Sequence, residues 1–246
     1  IGLLPGGAAK ALALAPAIPT ALRGAASVSS YAPTNLPDAS AEYLQRIGRL
    51  YAGDPQLHAL WSEAVQTRAM AENLVEDGGR GAAASGKMAA SLMTGPAGAR
   101  LVMIESNGWD THAGQRGRLA NQLIGLDALL AALHDGLGTA WADTLVIVAT
   151  EFGRTAAVNG TGGTDHGTGG MAFMLGGTVK GGRVLADWPG LSQSALYEGR
   201  DLRPTTPLDS VLSGAIAGHF GLDPVRAART LFPGGAGRPL EGLIRT

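Results

Sequence analysis

Residues 144–149, TLVIVA, are the strongest constraint on the fold: a continuous apolar, β-branched run of the kind buried in parallel sheets. The run ends in a polar burst, TEFGRT, at 150–155. The same figure occurs earlier, where 100–104 reads as a short buried strand and passes at once into ESNGWDTHAGQ. Residues 116–137 then predict a long amphipathic helix with Leu119, Leu123, Leu126, Leu130 and Leu133 on its buried face. Residues 171–175 predict a third strand. Strand, helix, strand, with polar clusters at the strand ends, is the layout of an open α/β sheet. Ligands of such sheets sit outside the carboxyl ends of the strands.

Upstream, residues 1–38 are rich in Ala, Pro, Gly and Ser and read as irregular, surface-hugging connection. From Ser40 the spacing turns helical, with Asp38 or Ser40 as N-cap and Leu44, Ile47, Leu50 and Tyr51 recurring three or four apart. A second helix is predicted over 55–74, with Leu57, Leu60, Trp61, Ala64 and Val65 on one face, and a short one over 83–93. Residues 182–203 read as a hairpin or loop excursion, 207–220 as a last helix, and 226–246 as a tail. The expectation is one α/β domain over 1–246: a mainly irregular and helical part to 98, a core over 99–225, and the tail.

Three polar clusters fall where a site is expected. In TGGTDHGTGG, residues 161–170, Asp165 and His166 have no apolar neighbours to bury them, and glycine lets another group approach the backbone. A carboxylate beside an imidazole suits metal ligation or proton transfer; the plain alternative is a flexible surface loop. Asp110 and His112 are two apart, so in an extended segment both side chains reach one ion. Alternatively, Asp110 caps the next helix and His112 is solvated. Glu151, at a buried strand end, needs a partner. Arg154 supplies it as an ion pair, or else Glu151 binds metal and Arg154 grips an anionic group bidentately. His58, His134 and His219 lie in helical stretches and read as structural or solvated. The stretch GAAASGK, 81–87, imitates a phosphate loop, but Met88 replaces the magnesium-binding hydroxyl and no strand precedes it.

Composition narrows the chemistry. A hydrophobic content of 45% with 16% charged residues describes a globular chain, and a net charge of −1 gives no basis for binding nucleic acid or an anionic membrane. The absence of cysteine excludes disulfides and thiolate metal sites, so a metal must be held by His, carboxylates, hydroxyls or water. No run reaches the roughly 18 apolar residues of a membrane span. The apolar segment 3–22 is broken by Pro5, Pro16 and Pro19, unlike an intact signal sequence. The chain begins at Ile1 rather than methionine, so an upstream segment is expected.

The segments NGWDTHAGQ, VIVATEFGRT, NGTGGTDHGTGG, LGGTVKGGRVLADWPGL and LYEGRDLRPTT, in that order, closely resemble the bacterial domain-of-unknown-function family numbered 1501. That family is similar to the alkaline phosphatase and sulfatase superfamily. The resemblance implies a three-layer, alkaline-phosphatase-like α/β sheet with flanking helices. It also implies a centre for a divalent metal: zinc, manganese, magnesium or calcium. Asp110 and His112 resemble the superfamily's first ligand group, Glu151 stands where the aspartate of a second pair belongs, and His166 resembles the downstream histidine. Asp165 is then a ligand or orienter, and Arg154 the catalytic clamp on an oxyanion. The stretch PTTPLDSVLSGAIAGHFGL is similar to the superfamily's closing helix.

Phe152 departs from the pattern, standing where a ligand histidine belongs and weakening the second metal site. Nothing in 1–40 matches the strand that carries the superfamily's nucleophile, so the sheet is expected to be incomplete at the N-terminus, with the nucleophile upstream of Ile1 or lacking. The resemblance implies a metal-dependent hydrolase acting on a small-molecule or polymer phosphate or sulfate ester. The alternative is a non-catalytic binding or cell-surface protein that keeps the fold. Twin-arginine export signals in the family imply a periplasmic or exported location.

Overall fold

The computed structural model describes residues 3–4, 11–24, 28–32, 39–72, 81–94 and 98–245, with the backbone alone over 67–72. The described residues form a mixed α/β structure with six α-helices and three small sheets. The chain gathers into two compact units, one mainly of residues 6–106 and 124–138, the other mainly of 107–123 and 139–246.

In the first unit, β1 (Ala11–Leu14) lies at the centre of a parallel sheet, between β2 (Val28–Tyr31) and β3 (Leu101–Ile104). This corrects the reading of 1–38 as irregular. The ALAL segment of β1 is too short and too small-chained to carry a strand signal, yet its pairing on both sides buries it, and Ala13 is 0% exposed. Leu12, Met88, Leu92 and Ala99 form the core there, with Leu14, Tyr31 and Val102 packed on it. Helix α1 (Ala41–Tyr51) starts at Ser40, whose hydroxyl accepts the Tyr43 N–H at 3.2 Å. Helix α2 (Pro55–Glu72) starts on the Asp54 carboxylate, which accepts the N–H groups of Gln56 and Leu57 at 2.9 and 3.0 Å. Its predicted apolar face is largely open: Leu57 and Leu60 are exposed, while Trp61 meets Tyr51 edge-on at 5.8 Å.

Helix α3 (Ala82–Thr94) absorbs the phosphate-loop lookalike, and Gly86 there packs so close to the Leu129 carbonyl that a Cβ would collide with it. Leu129 belongs to α4 (Gln115–Leu137), which buries Leu129, Leu133 and Leu137; Leu123, expected on the buried face, is exposed. With its 3-10 extension, the helical stretch Gln115–Asp143 is long and apolar enough to cross a membrane by length and composition.

In the second unit, β4 (Val146–Val148) pairs antiparallel with β7 (Phe173–Leu175), and β5 (Gly153–Arg154) antiparallel with β6 (His166–Gly167). The apolar run at 144–149 predicted a parallel environment. Its burial comes instead from α5 (Leu208–Phe220) and the chain end. Val179, Ala215, Leu243 and Ile244 form a core on which Leu145, Ile147, Met174, Val211 and Leu240 pack. The predicted tail is therefore structured. Helix α6 (Pro224–Leu231) starts on the Asp223 carboxylate, which accepts the Arg226 N–H at 2.6 Å, and Leu243 and Ile244 are buried.

Candidate metal centre

Asp110 and His112 lie in the segment that leads into α4, and His166 lies on β6 directly across the ladder from Arg154. These positions bring three polar side chains onto one oxygen. Asp110 Oδ1 is 2.7 Å from His166 Nε2, 2.9 Å from His112 Nε2 and 3.4 Å from Arg154 Nη2. The ligand atoms of Asp110, His112 and His166 lie within 4.8 Å of one another, close enough to hold a metal ion. All three are about half exposed, with side-chain values of 53%, 47% and 51%. The hydrogen bond from His166 holds the Asp110 carboxyl below its ordinary value of 3.8, helped by charge from His112, His166 and Arg154.

Behind the triad, His112 Nδ1 is 2.9 Å from Asp165 Oδ1. The Asn159 amide donates to the same Asp165 oxygen at 3.0 Å and to the His112 carbonyl at 2.9 Å. The Asn159 side-chain oxygen in turn accepts the N–H groups of Thr161 and Gly163, both at 3.0 Å. These bonds, first from His112 and then from Asn159, hold the Asp165 carboxyl below 3.8 as well. Asp165 thus stands one step back from the triad, on the far nitrogen of His112.

A neutral imidazole has one N–H and one lone pair, so His112 cannot donate to Asp110 and to Asp165 at once. Either the ring is doubly protonated, or Nδ1–H faces Asp165 and the Nε2 lone pair faces a cation shared with Asp110. The second state is the usual carboxylate–histidine–metal arrangement. Two imidazole nitrogens and one carboxylate also form a coherent donor set, with room for water or substrate on the exposed side.

Three of the five glycines of 161–170 serve close backbone packing rather than looseness. A Cβ on Gly163 would collide with the backbone of Thr111 and His112, one on Gly167 with Arg154, and one on Gly169 with Leu202. The Gly114 and Gln115 N–H groups donate to the carbonyls of Thr161 and Gly162 at 3.1 and 2.9 Å, fastening the loop to the Asp110–His112 segment.

Arg154 was expected to pair with Glu151 or grip an anion. It is 22% exposed, and its guanidinium donates to the carbonyls of Thr164, at 2.8 Å, and Trp109, as well as facing Asp110. It therefore ties the two site loops together. Glu151 is exposed, outside the triad, and makes no hydrogen bond or ion pair with a described residue.

Two contributors escaped the sequence. Asn159 had a signal, since Asn before Gly and Thr favours a side chain that closes its own turn. Phe152 had none. Its ring stacks on His166 at 4.4 Å between centroids and 10° between planes, and Arg154 Cζ lies 4.8 Å from its centroid. Of the other histidines, His134 meets Asp135 at 3.0 Å on the surface and His219 meets the Thr178 hydroxyl at 3.2 Å.

The model of the family described as "Protein of unknown function (DUF1501)" matches residues 15–227, a span that includes the whole triad and its supports. No curated protein and no solved structure matches the chain. The chain belongs to the DUF1501 family.

Proposed function

We propose that this chain binds one divalent metal ion through Asp110, His112 and His166 and hydrolyses an ester, of the phosphate or sulfate class. The observation that carries this reading is the meeting of two imidazole Nε2 atoms on one Asp110 oxygen while Asp165 takes the far nitrogen of His112. Two nitrogen donors favour zinc over magnesium and calcium. A metal bound there would supply Lewis acidity, activating a water and neutralising charge on an ester oxygen.

The residues divide the remaining tasks. Asp165 and Asn159 fix the His112 tautomer and ring orientation. Arg154 keeps a cation beside Asp110 and joins the loops that carry the ligands. The half-exposed triad leaves a solvent-facing side for water and ester. An alkaline-phosphatase-like three-layer sheet and an exported location are the fold and setting that go with this reading.

The commitment of Arg154 to two carbonyls and Asp110 favours a second reading, a metal-binding but non-catalytic protein. Purified protein incubated with zinc or manganese and assayed on a panel of phosphate and sulfate monoesters separates the two. Metal-dependent turnover, abolished in His166→Ala, supports the hydrolase. Stoichiometric metal without turnover supports the binding protein, and absence of metal removes both.

A further inference from the structure

The two histidines of the triad are oriented by different means. His112 has its far nitrogen held by Asp165 at 2.9 Å, the usual device for a metal-ligating imidazole. His166 has its Nε2 on Asp110 at 2.7 Å, but its Nδ1 makes no hydrogen bond to a described residue. Among the described residues, the bond to Asp110 is the one polar contact of that ring. Two rings also meet it: the face of Phe152, nearly parallel at 10° and 4.4 Å away, and the tilted His112 ring at 35° and 4.9 Å.

We infer that Phe152 is a positioning residue for the metal centre: by stacking on His166 it holds that ring with Nε2 toward Asp110, the task a hydrogen-bonding carboxylate performs for His112. The inference rests on the metal-binding reading above. Phe152 is half-buried, and its own placement is over-determined. Its carbonyl accepts the Thr150 hydroxyl at 3.1 Å, and the Arg154 guanidinium lies over its ring at 4.8 Å. Arg154 is in turn anchored to the Trp109 and Thr164 carbonyls. A ring-on-ring contact keeps an imidazole parallel to its neighbour without engaging either nitrogen. It therefore keeps His166 in place whichever tautomer binding requires.

This assigns a use to the residue that departs most plainly from the expected ligand pattern. An aromatic side chain at 152 gives up a possible ligand there and secures the ligand at 166. Leu at this position would keep the apolar volume but not the flat face, and Tyr would keep both.

The test is zinc affinity by competition with a chelator, and the visible spectrum of the cobalt-loaded protein, for wild type, Phe152→Leu, Phe152→Ala and Phe152→Tyr. Thermal unfolding of the metal-free proteins is recorded in parallel. Expected results are a zinc affinity about 10- to 100-fold weaker in Phe152→Leu and Phe152→Ala, the loss typical when a ligand's support is removed. The cobalt spectrum should change in those two variants and be restored in Phe152→Tyr. Weakening in Phe152→Leu with an unchanged unfolding midpoint separates positioning from folding. Wild-type affinity and an unchanged cobalt spectrum in Phe152→Leu would overturn the inference while leaving the metal centre standing. A wild type that binds neither zinc nor cobalt would overturn both.

Discussion

His112 stands between two carboxylates, its Nδ1 2.9 Å from Asp165 and its Nε2 2.9 Å from Asp110. One neutral ring cannot donate to both. In the proposed metal-binding state that relationship gives Asp110 and Asp165 different tasks: one would face the ion, the other would set the tautomer. Replacing Asp165 by Ala should weaken zinc binding about 10- to 100-fold without changing stoichiometry, as loss of an outer-shell partner does elsewhere. Titration calorimetry would show it. A lost equivalent of zinc would mean that Asp165 is itself a ligand.

Gly163 should be intolerant of any side chain. A Cβ there meets the Thr111 and His112 backbone, and backbone can yield only by moving the ligand segment. Gly163→Ala is expected to cost about 1–3 kcal/mol in chemical denaturation, the usual range for overpacking, and to weaken zinc binding as well. A neutral effect on both would show the loop to be looser than its contacts imply.

Acid should loosen the metal-free centre in a definite direction. Asp110 and Asp165 both titrate below 3.8, through their bonds to His166 and to His112 respectively. A carboxyl whose folded value is depressed contributes its stability in full above the unfolded value, and that contribution is lost as pH falls through the folded value. The metal-free protein should therefore keep these contributions down to about pH 4 and lose them in stronger acid. Carbon-13 NMR titration of the two carboxyls checks this; midpoints above 3.8 would contradict the bonding pattern.

The first unit should depend on its N-terminal strand. Leu12 is 3% exposed and packs with Met88, Leu92 and Ala99. Leu12→Ala is expected to cost about 2–5 kcal/mol in denaturant unfolding, as buried leucines do. A change under about 0.5 kcal/mol, the range of surface sites, would place β1 outside the core.

The residues that were legible in the sequence share a feature: their signal is local. The run at 144–149 announces a strand by its own side chains, Ser40 announces a helix start, and Asp110, His112 and His166 stand out as chemistry set in polar loops. What stayed hidden depends on partners far along the chain. The ALAL of β1 becomes a central strand only through pairing with residues about 17 and 90 positions away, which no window of four residues can register. The antiparallel pairing of β4 with β7 was hidden for the same reason, since an apolar run looks alike in either direction. Arg154 offered two roles in sequence, and the carbonyls that claim its guanidinium come from positions 109 and 164. Phe152 read as a missing ligand until the ring it faces was in view.

The most direct test is elemental analysis after zinc loading and gel filtration, wild type beside His166→Ala, with circular dichroism confirming that both are folded. The account predicts about one equivalent of zinc in the wild type and far less in the variant, since three protein ligands are needed to hold the ion firmly. Wild-type protein that retains no zinc, or a folded His166→Ala protein that retains as much as the wild type, would contradict it.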